Sequence, residues 1–179
     1  MRREALVCHP DTRSNAVREV SVTVSSLNRD TLSLSFCLEG DLARIRVPPR
    51  MTPRRADGLW RHTCFEAFIA AGDGPTYFEL NFAPSGEWAA YAFRSYREGA
   101  AFERDLDPRI AVSLAEDRLQ LDAWVPLALL SPVPGRRLRL GLSAVVEEEG
   151  EWSTYWALKH PPGPPDFHHP DAFALQLDV

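Results

Sequence analysis

Two stretches decide the reading of this chain: Cys64-Phe65-Glu66-Ala67-Phe68-Ile69-Ala70 and Thr76-Tyr77-Phe78-Glu79-Leu80-Asn81-Phe82-Ala83. Successive side chains of a β-strand point to opposite faces. On that period the first stretch sets Phe65, Ala67 and Ile69 on one face and Glu66 on the other. The second sets Phe78, Leu80 and Phe82 on one face and Tyr77, Glu79 and Asn81 on the other. Residues 71–75 form the turn between them. A third segment, 86–97, follows the turn Pro84-Ser85-Gly86 and carries Trp88, Tyr91, Arg94, Tyr96 and Arg97. As neighbours in one sheet, the three strands give one apolar face. The opposite face collects two carboxylates, an amide, an arginine and aromatic rings, a combination suited to a small polar ligand with hydroxyl groups.

The same alternation continues outward in both directions. Residues 19–27 alternate through Val20, Val22 and Val24, and residues 31–38 through Leu32, Leu34, Phe36 and Leu38. Asn28-Arg29-Asp30 between them makes a hairpin. Residues 43–47 read as a short strand, and 48–58, with three prolines and three arginines, as a loop. Beyond the central triplet, 98–108 is polar and irregular with at most one helical turn. Residues 110–115 and 118–126 form a hairpin, and 127–130 a short helical turn ahead of Pro132 and Pro134. Residues 137–147 and 151–158 pair across Glu148-Glu149-Gly150. Residues 161–170, with five prolines, are a loop, and 172–178 are the last strand. No segment carries a 3.6-residue apolar stripe over 12 or more residues. The expected fold is therefore all-β: an antiparallel β-sandwich, jelly-roll or immunoglobulin-like, of about ten strands, forming a single domain over 1–179.

The composition excludes several functional classes. The 179 residues carry a net charge of −5, which opposes nucleic-acid binding. The charge is unevenly spread, with 11 Arg against 7 acidic residues in 1–62 and 9 basic against 18 acidic residues in the remainder. The start, Met1-Arg2-Arg3-Glu4, lacks the apolar core of a signal peptide, and no apolar run reaches membrane-spanning length. The expectation is a cytoplasmic protein without a membrane partner. Cys8, Cys37 and Cys64 are odd in number and show no metal-type spacing, so they read as small buried hydrophobes.

Three groups of residues bear on function. Glu66 and Glu79 lie near the middle of adjacent strands on matching faces. Such a pair serves a sugar-binding cleft, an ion pair with an arginine such as Arg94, or the acid and base of a glycosidase. Trp60 and Trp88 flank the triplet and are candidates for stacking on a sugar ring, whereas Trp124 and Trp156 sit in apolar patterns that read as core. His160, His168 and His169 crowd the proline-rich tail, and their spacing matches no common zinc motif, so no metal is expected. A proline-stiffened loop folding across the polar face would present His160 or His168 to a ligand held by Glu66, Glu79 and Arg94. His62, next to the Glu66 strand, joins the same candidate set. GxSxG, P-loop, GxGxxG and HExxH motifs are all missing, which weakens an enzymatic reading.

The blocks Leu59-Trp60-Arg61-His62-Thr63-Cys64-Phe65-Glu66-Ala67-Phe68, Tyr77-Phe78-Glu79-Leu80-Asn81-Phe82-Ala83-Pro84-Ser85-Gly86-Glu87-Trp88, Tyr91-Ala92-Phe93 and Tyr96-Arg97-Glu98-Gly99 resemble the DOMON-like bacterial domains. These are distant relatives of the family 9 carbohydrate-binding modules. The tail from Leu158-Lys159-His160-Pro161 through Pro165-Asp166-Phe167-His168 fits the same group, so the resemblance spans most of 59–173. It implies a jelly-roll-like sandwich with a ligand cleft on one sheet and binding of sugar or haem. Haem-binding relatives use Met and His axial ligands. Here only Met51, in a loop, could serve, so a sugar-type ligand ranks above haem. The resulting expectation is a non-catalytic domain for a carbohydrate or sugar derivative, with Trp60, His62, Glu66, Glu79, Asn81, Trp88, Arg94, His160 and His168 around the ligand. The alternatives are a haem-binding domain, or an enzyme acting on a sugar-derived ligand with Glu66 or Glu79 as acid/base.

Overall fold

In the segment Thr31–Gly40 every second side chain is buried: Leu32, Leu34, Phe36 and Leu38 are inaccessible, while Ser33, Ser35 and Cys37 between them are partly exposed. This alternation recurs through a computed structural model that describes residues 1–28, 30–130 and 137–178. The described strands are β1 (Arg2–Cys8), β2 (Val17–Asn28), β3 (Thr31–Gly40), β4 (Cys64–Ala71), β5 (Tyr77–Phe82), β6 (Trp88–Ser95), β7 (Glu98–Ala101), β8 (Arg109–Leu114), β9 (Arg118–Pro126), β10 (Arg137–Glu148), β11 (Trp152–Ala157) and β12 (Leu175–Asp178). All pairings are antiparallel, in the order β7-β6-β5-β4-β10-β11-β1-β2-β3-β9-β8, with β12 added to β10. The all-β expectation holds, with helix limited to five 3-10 turns among the described residues.

Strand β1 joins the two halves of this path. Residues Arg2 to Leu6 pair with β2, whereas Val7 and Cys8 pair with Ala157 and Trp156 of β11. The β1-β2-β3-β9-β8 sheet packs its apolar face on that of the other sheet. At the contact, Phe36 of β3 stacks on Phe65 of β4 with ring centroids 5.0 Å apart. Leu80 and Phe82 of β5, Leu140 and Leu142 of β10, and Leu119 and Leu121 of β9 complete the core from both sides. Trp156 is in the core as expected, but Trp124 is half-buried on the outer face, with the Arg109 guanidinium 4.8 Å from its ring.

Several local expectations differ from the structure. Residues 43–47 form no strand. Leu42–Arg44 is a 3-10 turn, and only Ile45 makes a bridge, to Glu148. Two strands were not anticipated. β1 lacks clean alternation because its register passes from one sheet to the other, and β7 is short and fully exposed, with no apolar signal to betray it. The short turn expected at 127–130 is present as Leu127–Leu129. Arg29 of the expected hairpin turn, and Pro132 and Pro134, lie outside the described residues.

Candidate ligand-binding site

Strand β4 is unusual in that both of its faces are buried from Cys64 to Ala70. One face is the sandwich core. The other lies under a cleft of about 420 Å³, and register explains its floor. Glu66 of β4 pairs with Asn81 of β5 and with Ser143 of β10, and Phe68 pairs with Glu79. Glu79 in turn pairs with Tyr91 of β6, and Tyr77 with Phe93. Val145 of β10 pairs with Tyr155 of β11. Paired residues share a face, so Glu66, Phe68, Glu79, Tyr91, Phe93, Val145 and Tyr155 all line one cleft.

The two carboxyls are buried, Glu66 at 3% and Glu79 at 6% exposure. Glu66 Oε2 accepts from Ser143 Oγ at 3.2 Å, and Glu79 Oε1 from Asn81 Nδ2 at 3.0 Å. Burial pushes the Glu66 carboxyl well above the ordinary carboxylate range, and the negative charge of Glu79 adds to the effect. Burial also raises Glu79, while the Asn81 amide and the positive charge of Arg97 pull it back. Asn81 is fully buried, and its Oδ1 has no hydrogen-bond partner among the described residues.

The roof comes from the segment 161–170. Phe167 packs on Phe68, and the following Phe173 on Phe68 and Tyr77, in a small second apolar cluster. Asp166 ties the segment to the end of β6: its Oδ2 accepts from Tyr96 Oη at 2.6 Å and its Oδ1 pairs with Arg97 Nη2 at 2.8 Å. Gly141 allows the return to pass close by, since a Cβ there would stand 3.3 Å from both Ala172 O and Phe68 Cβ. Pro165, Phe167 and His168 thereby reach the cleft.

Tyr77 anchors the His168 ring. Tyr77 Oη accepts from the Arg97 backbone N–H at 3.1 Å and lies 2.9 Å from His168 Nδ1. His168 turns its other ring nitrogen, Nε2, toward Glu79. That nitrogen is 3.6 Å from Glu79 Oε2, too long for a direct hydrogen bond. Burial, aided by the Arg97 charge, lowers the His168 pKa to about 4, so the ring is neutral at pH 7.

Of the nine residues singled out from the sequence, the structure brings Trp60, Glu66, Glu79 and His168 into the cleft lining, with Asn81 behind the carboxyls. Trp60 stands at the rim with half its surface exposed and the Arg61 guanidinium 5.3 Å from its ring. The other four lie elsewhere. Trp88 pairs with Phe82, which puts it on the core face, buried and capped by Arg55. Arg94 has the opposite parity to Tyr91 and Phe93. It is 77% exposed and pairs with Glu98. His62 bonds Glu147 Oε2 through Nδ1 at 2.8 Å, in an ion-pair group with Arg46. His160 lies under the return segment, with Nε2 2.8 Å from Val7 O and its ring edge-on to His9.

The cleft arginine is Arg97 in place of the expected Arg94. It follows a register shift between Phe93 and Ser95 and has a positive φ of 55°, so strand parity does not extend to it. Tyr91, Phe93 and Tyr155 were within reach of a register count from the tight turns. Among the described residues no group of three His, Cys, Asp or Glu side chains is placed to hold a metal ion.

Fold and site together define an antiparallel β-sandwich with an aromatic-walled, carboxyl-floored cleft on one sheet. Solved structures share this architecture. A candidate carbohydrate-binding protein from Bacteroides uniformis superposes with a TM-score of 0.76 at 15% identity, over 99% of this chain and 86% of that one. A family 9 carbohydrate-binding module from Caldicellulosiruptor kristjanssonii in complex with glucose gives 0.50 at 10% identity, over 84% of this chain and 71% of that one. The complex with cellotriose gives 0.52 at 9% identity, over 86% and 75%. At these identities the likeness speaks for the fold. No family model matches the chain, and neither does any curated protein.

Proposed function

We propose that this chain is a non-catalytic sugar-binding domain, akin to the DOMON-like domains, with its ligand site in the cleft over β4 and β5. The observation that carries the reading is the composition of the cleft. Two buried carboxyls form its floor, and the rings of Trp60, Tyr91, Phe93, Tyr155 and Phe167 stand around them. Carboxylates accept paired hydroxyl hydrogen bonds, and flat rings cover the C–H faces of a pyranose. A cleft of about 420 Å³ falls within the usual range for small-molecule sites, roughly 300–1,000 Å³. The solved relatives with glucose and cellotriose place such ligands on the same fold.

Titration calorimetry with glucose, cellobiose and other small saccharides tests this. The expected result is saturable binding that Glu79→Gln weakens about tenfold to a hundredfold, the scale of one hydrogen bond to a charged group. Trp60→Ala weakens it about two- to tenfold without lowering the melting temperature, because the ring is at the rim. Absence of binding across the panel would remove the reading. Turnover of aryl glycosides that is lost in Glu66→Gln, with binding retained, would instead make the carboxyl pair an acid–base couple. A Soret band on adding hemin, abolished in His168→Ala, would point to haem.

A further inference from the structure

The floor of the cleft has a surplus of hydrogen-bond acceptors and a missing positive charge. Among the described residues Glu66 has Ser143 as its hydrogen-bond donor and Glu79 has Asn81, while Asn81 Oδ1, buried behind the carboxyls, has no donor. Among the described residues no Lys or Arg comes within ion-pairing distance of either carboxyl. The nearest partner is the neutral His168, at 3.6 Å from Glu79. Arg97, the one guanidinium in the lining, is already engaged by Asp166 and Tyr96. Buried carboxyls normally find a cation or a full set of donors inside the protein. Here they face a cavity whose walls are aromatic, and aromatic faces attract cations as well as C–H groups.

We infer that the ligand brings the missing cation: the cleft takes a primary ammonium group onto Glu66 and Glu79, so that, on the sugar-binding reading on which this inference rests, its preferred ligand is an amino sugar with a free amine. An ammonium carries three donors and no acceptor, which matches the acceptor surplus of the floor. A neutral hydroxyl supplies one donor. An N-acetylated amine has lost its charge and adds a carbonyl. A uronic acid brings a third carboxylate to the pair.

The inference has a protonic consequence. Burial and mutual repulsion favour the protonated form of Glu66, so an arriving ammonium displaces that proton to solvent as the carboxylate forms. The titratable and charged groups around Glu66 are Glu79, Cys64, Tyr91, Tyr155, His168, and Arg97 with its partner Asp166. Burial raises both Cys64 and Tyr91, so they stay neutral as Glu66 ionises.

Calorimetric titration of the full chain with glucosamine, glucose, N-acetylglucosamine and glucuronate, with methylammonium chloride as a sugar-free primary ammonium, tests this at constant ionic strength. The expected result is glucosamine binding at least about tenfold more tightly than glucose, with the preference collapsing in Glu79→Gln and Glu66→Gln. Glucosamine binding should also release a proton, read as a binding enthalpy that changes with the ionisation heat of the buffer. This readout uses the unmodified protein and does not depend on how the variants fold. Equal binding of glucose and glucosamine overturns the inference and leaves the sugar-binding reading standing. Binding of methylammonium without binding of any sugar supports the ammonium site and removes the sugar reading. Silence from every probe overturns both.

Discussion

Replacing Phe65 with alanine is expected to lower the unfolding free energy by about 3–5 kcal/mol, the usual loss for a large aromatic removed from a packed core. Phe65 has no exposed surface and stacks on Phe36 across the two sheets, with centroids 5.0 Å apart and planes inclined by 24°. Its strand neighbours in register are Phe82 on one side and Ala144 on the other. All of these belong to β-strands whose backbones are fixed by pairing on both edges, so the site can collapse little around the void. Chemical denaturation checks this: the midpoint should fall while the slope with denaturant stays unchanged. A loss under about 1 kcal/mol would show that Phe65 does not key the two sheets together. The adjacent residue provides the contrast. Glu66 points to the cleft, and its replacement should leave core packing untouched.

That contrast leads to the second expected result, a stability that depends on pH through the cleft carboxyls. A buried carboxyl whose folded-state pKa lies above its ordinary value of 4.5 keeps its proton in the fold after the unfolded chain has released it. The folded state then binds more protons than the unfolded one, so stability declines as pH rises. The contribution is fully present below about 4.5 and is lost as pH climbs through the raised folded-state pKa. While the proton is retained, each such group removes about 1.4 kcal/mol per pH unit. His168 works in the opposite sense. Its pKa of about 4 in the fold lies below the ordinary 6.5, so between those values the unfolded chain holds the extra proton and stability rises with pH. Comparing wild type with Glu66→Gln cancels the His168 contribution. The two proteins should be nearly equally stable near pH 4.5, and the variant should gain on the wild type at each step upward. Thermal or denaturant unfolding across pH 4.5–8.5 measures this. Parallel curves for the two proteins would show that Glu66 is solvated in the fold.

Much of the site was legible before the structure, for a local reason. Strand parity places Glu66, Glu79 and Asn81 opposite the apolar face, and tight turns hold consecutive strands in register. Residues 64–97 therefore had one reasonable arrangement. The same rule, counted through the Pro84-Ser85-Gly86 turn, sets Trp88 beside Phe82 on the core face and Tyr91 beside Glu79 in the cleft. Trp88 therefore belongs to the core, and Arg94, of opposite parity to Tyr91, to the solvent side. His62 is close to Glu66 in sequence, but its ring is taken by Glu147 of β10.

The all-β fold, the apolar faces and the pair of carboxyls on neighbouring strands follow from the sequence by itself, because each depends on a two-residue period and on turns a few residues long. The tertiary structure alone decided which arginine and which histidine reach the cleft. Arg97 reaches the cleft by way of a register shift and a positive φ. His168 arrives there, and His160 does not, because Phe167 and Phe173 dock on Phe68 and Tyr77, far away along the chain. Docking of that kind depends on surfaces that exist only once the sheet has formed, and no local period encodes it.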